Sequence, residues 1–223
     1  MKTIIFTILI LFSQLYHCNG KEIFNRMQPG GQYAYFNCEF DPVFAVVGGY
    51  ARNFEIKAIN RSLTLTGDIT LPIFLLDLKH YRIEIGTRIA FFNWKKWNVL
   101  NRFGIINKGT DNPVYSGNLL STEEGFLFGY FSNKWFVAGE FDYEKFLLTH
   151  IKHTNWYKDD VHADAKDGWY SSTGGKFTFG LQGGYLIKGK FEITLRSGVY
   201  MTEGFNLPPG APFFANIGLN YHL

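Results

Sequence analysis

The sequence predicts an all-β chain that closes into an antiparallel up-and-down barrel of about ten strands spanning a membrane. Three observations predict it. Apolar and polar residues alternate with period two over runs as long as Phe213–Leu223, and that period sends successive side chains to opposite faces of a strand. After the first twenty residues, no run of eighteen apolar residues offers a membrane helix. The connections between the predicted strands are alternately short and long.

The N-terminal segment sets the expected compartment. Lys2 is followed by an apolar stretch from Ile4 to Leu15, too short for a spanning helix, and then by Cys18-Asn19-Gly20, with small residues where a cleavage site needs them. Residues 1–20 are therefore expected to be a cleaved signal peptide and 21–223 a single barrel domain. An uncleaved anchor and a lipoprotein acylated at Cys18 rank behind it, the latter because His17 stands where a small residue is normal. Loss of Lys2 lowers the formal charge from +3 to +2, too little to draw nucleic acid. Cys38 is then the sole cysteine, excluding an intrachain disulfide and reading as a buried, inert thiol.

Ten strands follow in order. Gln32–Phe40 and Phe44–Ile56 carry the pattern incompletely. Leu63, Leu65, Ile69, Leu71 and Ile73 oppose Ser62, Thr64, Thr66, Asp68 and Thr70. Tyr81, Ile83, Ile85, Ile89 and Phe91 oppose Arg82, Glu84, Gly86 and Arg88. Trp97–Ile106 and Glu123–Phe131 are again less regular; Trp135, Val137, Phe141 and Tyr143 oppose Ala138, Glu140, Asp142 and Glu144. In Lys176–Ile187 the apolar set is Phe177, Phe179, Leu181, Tyr185 and Ile187; after the Lys188-Gly189 turn it is Phe191, Ile193, Leu195, Val199 and Met201, against Glu192, Thr194, Arg196 and Gly198. The last strand sets Phe213, Ala215, Ile217, Leu219, Tyr221 and Leu223 against Asn216, Gly218, Asn220 and His222. Eight strands is the alternative.

Alternation alone does not say which face is wet, so a soluble lipocalin-like lipid binder with an apolar interior stays open. Several features favour lipid outside. The runs are longer than the usual five or six residues of soluble strands. The polar face mixes Gly, Thr and Asn with charges of both signs, and Arg82, Arg88, Arg102 and Arg196 are placed to pair with Glu84, Glu140, Glu144 and Glu192 in an enclosed lumen. With the C-terminus on the periplasmic side, 93–95, 132–134 and 188–190 become short turns on that side, and 107–122, 148–175 and 204–210 longer outer loops; the short apolar junction Phe74–Lys79 fits this least well. Trp94, Trp97, Trp135, Tyr185 and Tyr221 fall beside the short turns or the C-terminus, where a membrane interface collects aromatic residues.

The final strand resembles the C-terminal insertion signal of Gram-negative outer-membrane barrels, with Ile217, Leu219 and Tyr221 in alternation and an aromatic third from the end; Leu223 replaces the usual terminal Phe. The mature chain as a whole resembles the small outer-membrane β-barrel proteins grouped as OmpA-like or OmpX-like. That resemblance implies an outer-membrane location, membrane lipid and lipopolysaccharide as surroundings, and assembly by the barrel-insertion machinery. It brings no cofactor, metal or catalytic motif, and it names no extracellular ligand.

The predicted loop 148–175 holds the densest polar cluster: His150, His153 and His162 with Asp159, Asp160, Asp164 and Asp167. An exposed loop is the plainest reading, with Trp156, Tyr157 and Trp169 as contacts for a partner or anchors at the outer leaflet. A lipid A-modifying hydrolase is the enzymatic alternative, with His150 or His153 as base. The stretch His150-Ile151-Lys152-His153-Thr154-Asn155 offers no serine at the expected place. The function expected is a non-enzymatic one, structural in the envelope or exerted through the outer loops.

Overall fold

The computed structural model describes residues 30–40, 43–56, 61–73, 78–208 and 212–223; the expected signal peptide lies outside them. Ten strands follow one another: β1 Gln32–Phe40, β2 Phe44–Ile56, β3 Arg61–Pro72, β4 Tyr81–Trp94, β5 Trp97–Asp111, β6 Tyr115–Phe131, β7 Trp135–His153, β8 Gly168–Ile187, β9 Phe191–Thr202 and β10 Phe213–His222. A short helix, α1 (Asn155–Asp160), interrupts them between β7 and β8. Each strand pairs antiparallel with its sequence neighbours, and β10 returns to β1, from Tyr33↔His222 to Phe40↔Ala215, so the sheet has no free edge.

The faces are sorted as a membrane barrel requires. Phe191, Ile193, Leu195, Ile217 and Leu219 point outward at 42–63% exposure. Their neighbours Glu192, Thr194, Arg196, Asn216 and Asn220 are buried in the interior. A lipocalin-like soluble barrel needs the opposite arrangement. Hydrocarbon around the outside satisfies this one, because closure leaves no backbone group unpaired there.

At the end bearing the C-terminus (the near end) the strands join tightly. Lys95-Lys96 links β4 to β5, residues 132–134 link β6 to β7, and 188–190 link β8 to β9. Lys188 and Gly189 have φ of 51° and 72°, the consecutive positive values that let a turn follow the twist of a hairpin. Beside these turns an aromatic row runs outside the wall: Phe128 stacks on Trp97, which meets Tyr130 edge-on, and Tyr130 stacks on Trp135. From Trp97 to Asn107, strand β5 covers about 33 Å, which a tilt near 40° converts to about 25 Å of depth, the height of a bilayer's apolar band.

The opposite, far end differs from the loops expected there. Segment 107–122 is a hairpin: β5 runs on to Asp111, β6 begins at Tyr115, and Asn112–Val114 turn between them. Likewise half of 148–175 is strand, with 154–167 alone connecting β7 to β8. Two physical effects hid these extensions. Above the apolar band the outward face leaves the lipid, so the contrast in polarity between the faces fades. In addition, the register shifts at Leu120/Ser121 and Phe146/Leu148 reverse the phase of the alternation. A third shift, at Ala90/Phe92, does the same in β4. Cys38, expected to be buried, is exposed on the outward face of β1, because the alternation of that strand turns Asn37 and Glu39 inward.

Candidate functional site

Strands β4 to β9 aim a continuous ionic network into the lumen. Arg82 pairs with Glu84 and lies 3.9 Å from Glu123. Arg102 pairs with Asp142 and reaches Glu123 at 3.5 Å and Glu140 at 3.7 Å. Arg196 places Nε 2.6 Å from Glu140 and Nη2 3.7 Å from Asp142, and its guanidinium lies 4.4 Å from the centre of the Phe214 ring. Gln182 donates to Glu140 at 2.9 Å. Nearer the far end, Glu144 takes Lys108 at 2.5 Å, the Ser121 hydroxyl at 2.5 Å and Lys176 at 3.6 Å. Carboxylates shared between two cations in this way compensate one another's desolvation, which an isolated buried pair does poorly.

Two of the expected cation–carboxylate groupings form: Arg82 with Glu84, and Arg102 and Arg196 around Glu140. Glu144 pairs with Lys108 and Lys176. Glu192 accepts from Asn220 at 3.3 Å, and Arg88 is buried directly across from Arg102 in the β4–β5 register. Sequence reasoning missed Lys108, Glu123, Asp142 and Lys176. Asp142 was visible in the alternation of β7, whereas Lys108 fell in a stretch read as loop.

Below the ions two apolar clusters enter the near half of the lumen, beside buried Asn98, Glu192 and Asn220. Leu100, Leu127, Phe131, Phe136 and Ala138 form one buried cluster, with the Phe131 and Phe136 rings stacked 5.6 Å apart. Tyr33, Tyr35, Val47 and Ala51 form another on the β1–β2 wall, where the Tyr35 hydroxyl donates to Asp68 at 3.0 Å.

The histidines of the far end do not gather. His150 on β7 packs against Trp169 on β8, ring centres 4.9 Å apart. His153 stacks on Tyr157 and sets Nδ1 3.1 Å from Asp167, which also accepts the His153 backbone N–H at 2.8 Å and Lys158 at 2.6 Å. These contacts, the Lys158 hydrogen bond first, hold the Asp167 carboxyl well below the ordinary carboxylate range. Thr154 caps α1 by accepting the Tyr157 N–H. Three of the residues placed in a loop are thus elsewhere: His150, His153 and Trp169 stand on strands. Tyr157 is buried, so it cannot be an exposed contact, whereas Trp156 and His162 are exposed. Among the described residues no three His, Cys, Asp or Glu side chains converge as metal ligands would. No Ser or Thr hydroxyl is a hydrogen-bond partner of the His150 or His153 ring among them.

A closed antiparallel barrel with an apolar exterior and an ionic interior defines the membrane-spanning class of β-barrel. No family model and no curated protein matches the sequence. Among solved structures the chain is similar to an outer membrane channel from Pseudomonas putida F1, with a TM-score of 0.59 and 10% identity over 91% of this chain and 100% of that one. Looser likenesses are the KdgM porin (TM-score 0.41, 9% identity, 85% of this chain and 98% of that one) and the attachment invasion locus protein Ail of Yersinia pestis (0.39, 10%, 86% and 99%). At these identities the likeness is one of fold.

Proposed function

We propose that this chain is an outer-membrane β-barrel whose lumen is a structural plug and whose working surface is the far rim. One observation carries the reading: Asp142, Arg196, Arg102 and Glu140, midway along the lumen, are only 0–6% exposed, so packed ions occupy the place where a conducting pore would hold water. A barrel of this size is expected to be filled by side chains. The far rim instead offers a raised wall of β6, β7 and β8 with α1 on top and Trp156, Trp169 and Tyr170 exposed on it. This is the non-enzymatic, surface-interaction role, and among the described residues no Ser or Thr hydroxyl hydrogen-bonds the His150 or His153 ring, which weighs against the hydrolase alternative. The finer grouping with OmpA-like or OmpX-like barrels, and assembly by the insertion machinery, rest on the outward row Ile217, Leu219, Tyr221 and Leu223 together with the signal-like N-terminus. Reconstitution into planar bilayers tests the proposal. The expected trace shows no steady unitary current, and a stable, ohmic channel would overturn the plug.

A further inference from the structure

We infer that the near end of the barrel holds an anionic phospholipid, one acyl chain lying in an outward aromatic groove and the phosphate resting on the turn lysines. Trp97, Phe128, Tyr130, Trp135 and Val137 border a groove of about 660 Å³ on the outer wall of β5, β6 and β7, within the roughly 300–1,000 Å³ of ordinary ligand pockets. The groove exists because residue 139, between outward Val137 and Phe141, has no side chain; a Cβ there would find its nearest heavy atoms at 3.9 and 4.0 Å.

Charge selects the occupant. The turns 95–96, 132–134 and 188–190 carry Lys95, Lys96, Lys134, Lys188 and Lys190 and no acidic residue. Lys96 and Lys134 immediately precede the groove's Trp97 and Trp135, and the Lys96 ammonium lies 5.8 Å from the centre of the Tyr130 ring. The backbone carbonyls of Lys96 and Lys134 accept hydrogen bonds from Phe131 and Leu186, both at 2.7 Å, which fixes the turns against the next strand. An apolar slot bordered at its membrane-surface end by lysine-bearing turns matches a lipid with a net negative headgroup better than a zwitterionic one.

The inference rests on the membrane placement proposed above, and the experiment separates the two. Delipidated protein is titrated with phosphatidylglycerol or phosphatidylcholine of the same chains and bound lipid is counted by native mass spectrometry. A parallel sample is floated with vesicles. Wild type should retain one phosphatidylglycerol with several-fold preference. K96Q/K134Q should bring the two lipids to parity, and G139L, whose Cβ would have ordinary van der Waals room, should lose both. The lysines lie in surface turns, so the double variant keeps the test decisive even if G139L folds poorly. Equal retention of both lipids by wild type, or undiminished preference in K96Q/K134Q, overturns the lipid site while flotation still supports the placement. Failure to float overturns the placement itself, and the lipid site with it.

Discussion

Removing Arg196 is the sharpest test of the ionic plug. Its guanidinium lies between Glu140 and Asp142 and over the Phe214 ring, and it is 2% exposed. Arg196→Ala strands negative charge in a medium that hydrates it poorly. Breaking a buried pair from one side costs about 3–5 kcal/mol, and the lost ring contact adds about 1 kcal/mol. Arg102 stays on both carboxylates and offsets part of this, so the expected loss is about 3 kcal/mol, more than a hundredfold in the folding equilibrium. The assay is urea unfolding in short-chain phosphatidylcholine vesicles, followed by tryptophan fluorescence. The double variant Arg196→Ala/Glu140→Gln removes the stranded charge and should recover at least about 1 kcal/mol as a coupling energy. A single variant within about 0.5 kcal/mol of wild type, the usual scatter of independent sites, would refute the reasoning, because it would mean the lumen is wet enough to screen its ions.

Two further outcomes bear on the exterior and the rim. Leu195, outward on β9 and 63% exposed, should tolerate arginine poorly in a bilayer, losing about 2–4 kcal/mol if it lies near the midplane; vesicle unfolding of Leu195→Arg that is indistinguishable from wild type would place that face outside the hydrocarbon. Asp167→Ala should speed hydrogen exchange of the His153 amide at neutral pH, since Asp167 accepts that N–H. The folded carboxyl titrates below its ordinary range, so its contribution is complete above the unfolded value near 4 and is lost only as pH falls through the lower folded value. The gap between wild type and variant should therefore narrow only under acid, and equal exchange at pH 7 would exclude the role.

The fold was legible wherever one face meets lipid and the other the packed lumen. Within the apolar band, strands such as β9 and β10 show uninterrupted alternation, and their ends agree with the structure to within a residue or two. Legibility failed where that physical contrast ends. Lys108, Thr149 and Tyr170 belong to strands, yet the shifts at Leu120/Ser121 and Phe146/Leu148 scramble the alternation around them. The ionic network was half legible for the same reason. Arg102 and Glu140 sit in alternating stretches, whereas the partnership of Glu144 with Lys108 and Lys176 depends on cross-barrel geometry that a linear pattern does not encode.

The meeting of β1 with β10 has a consequence for biogenesis. The wall is completed by residues 33–40 lying against residues 215–222, so the tube cannot shut until the last strand has reached the first. Until then every nascent species carries two raw margins of unpaired amides, and it must be kept from sticking to its copies. That seam is also shorter than the joint between β6 and β7, which runs from Tyr115↔His153 to Phe131↔Phe136. Under load, the cylinder should part more readily at this seam than along the β6–β7 joint.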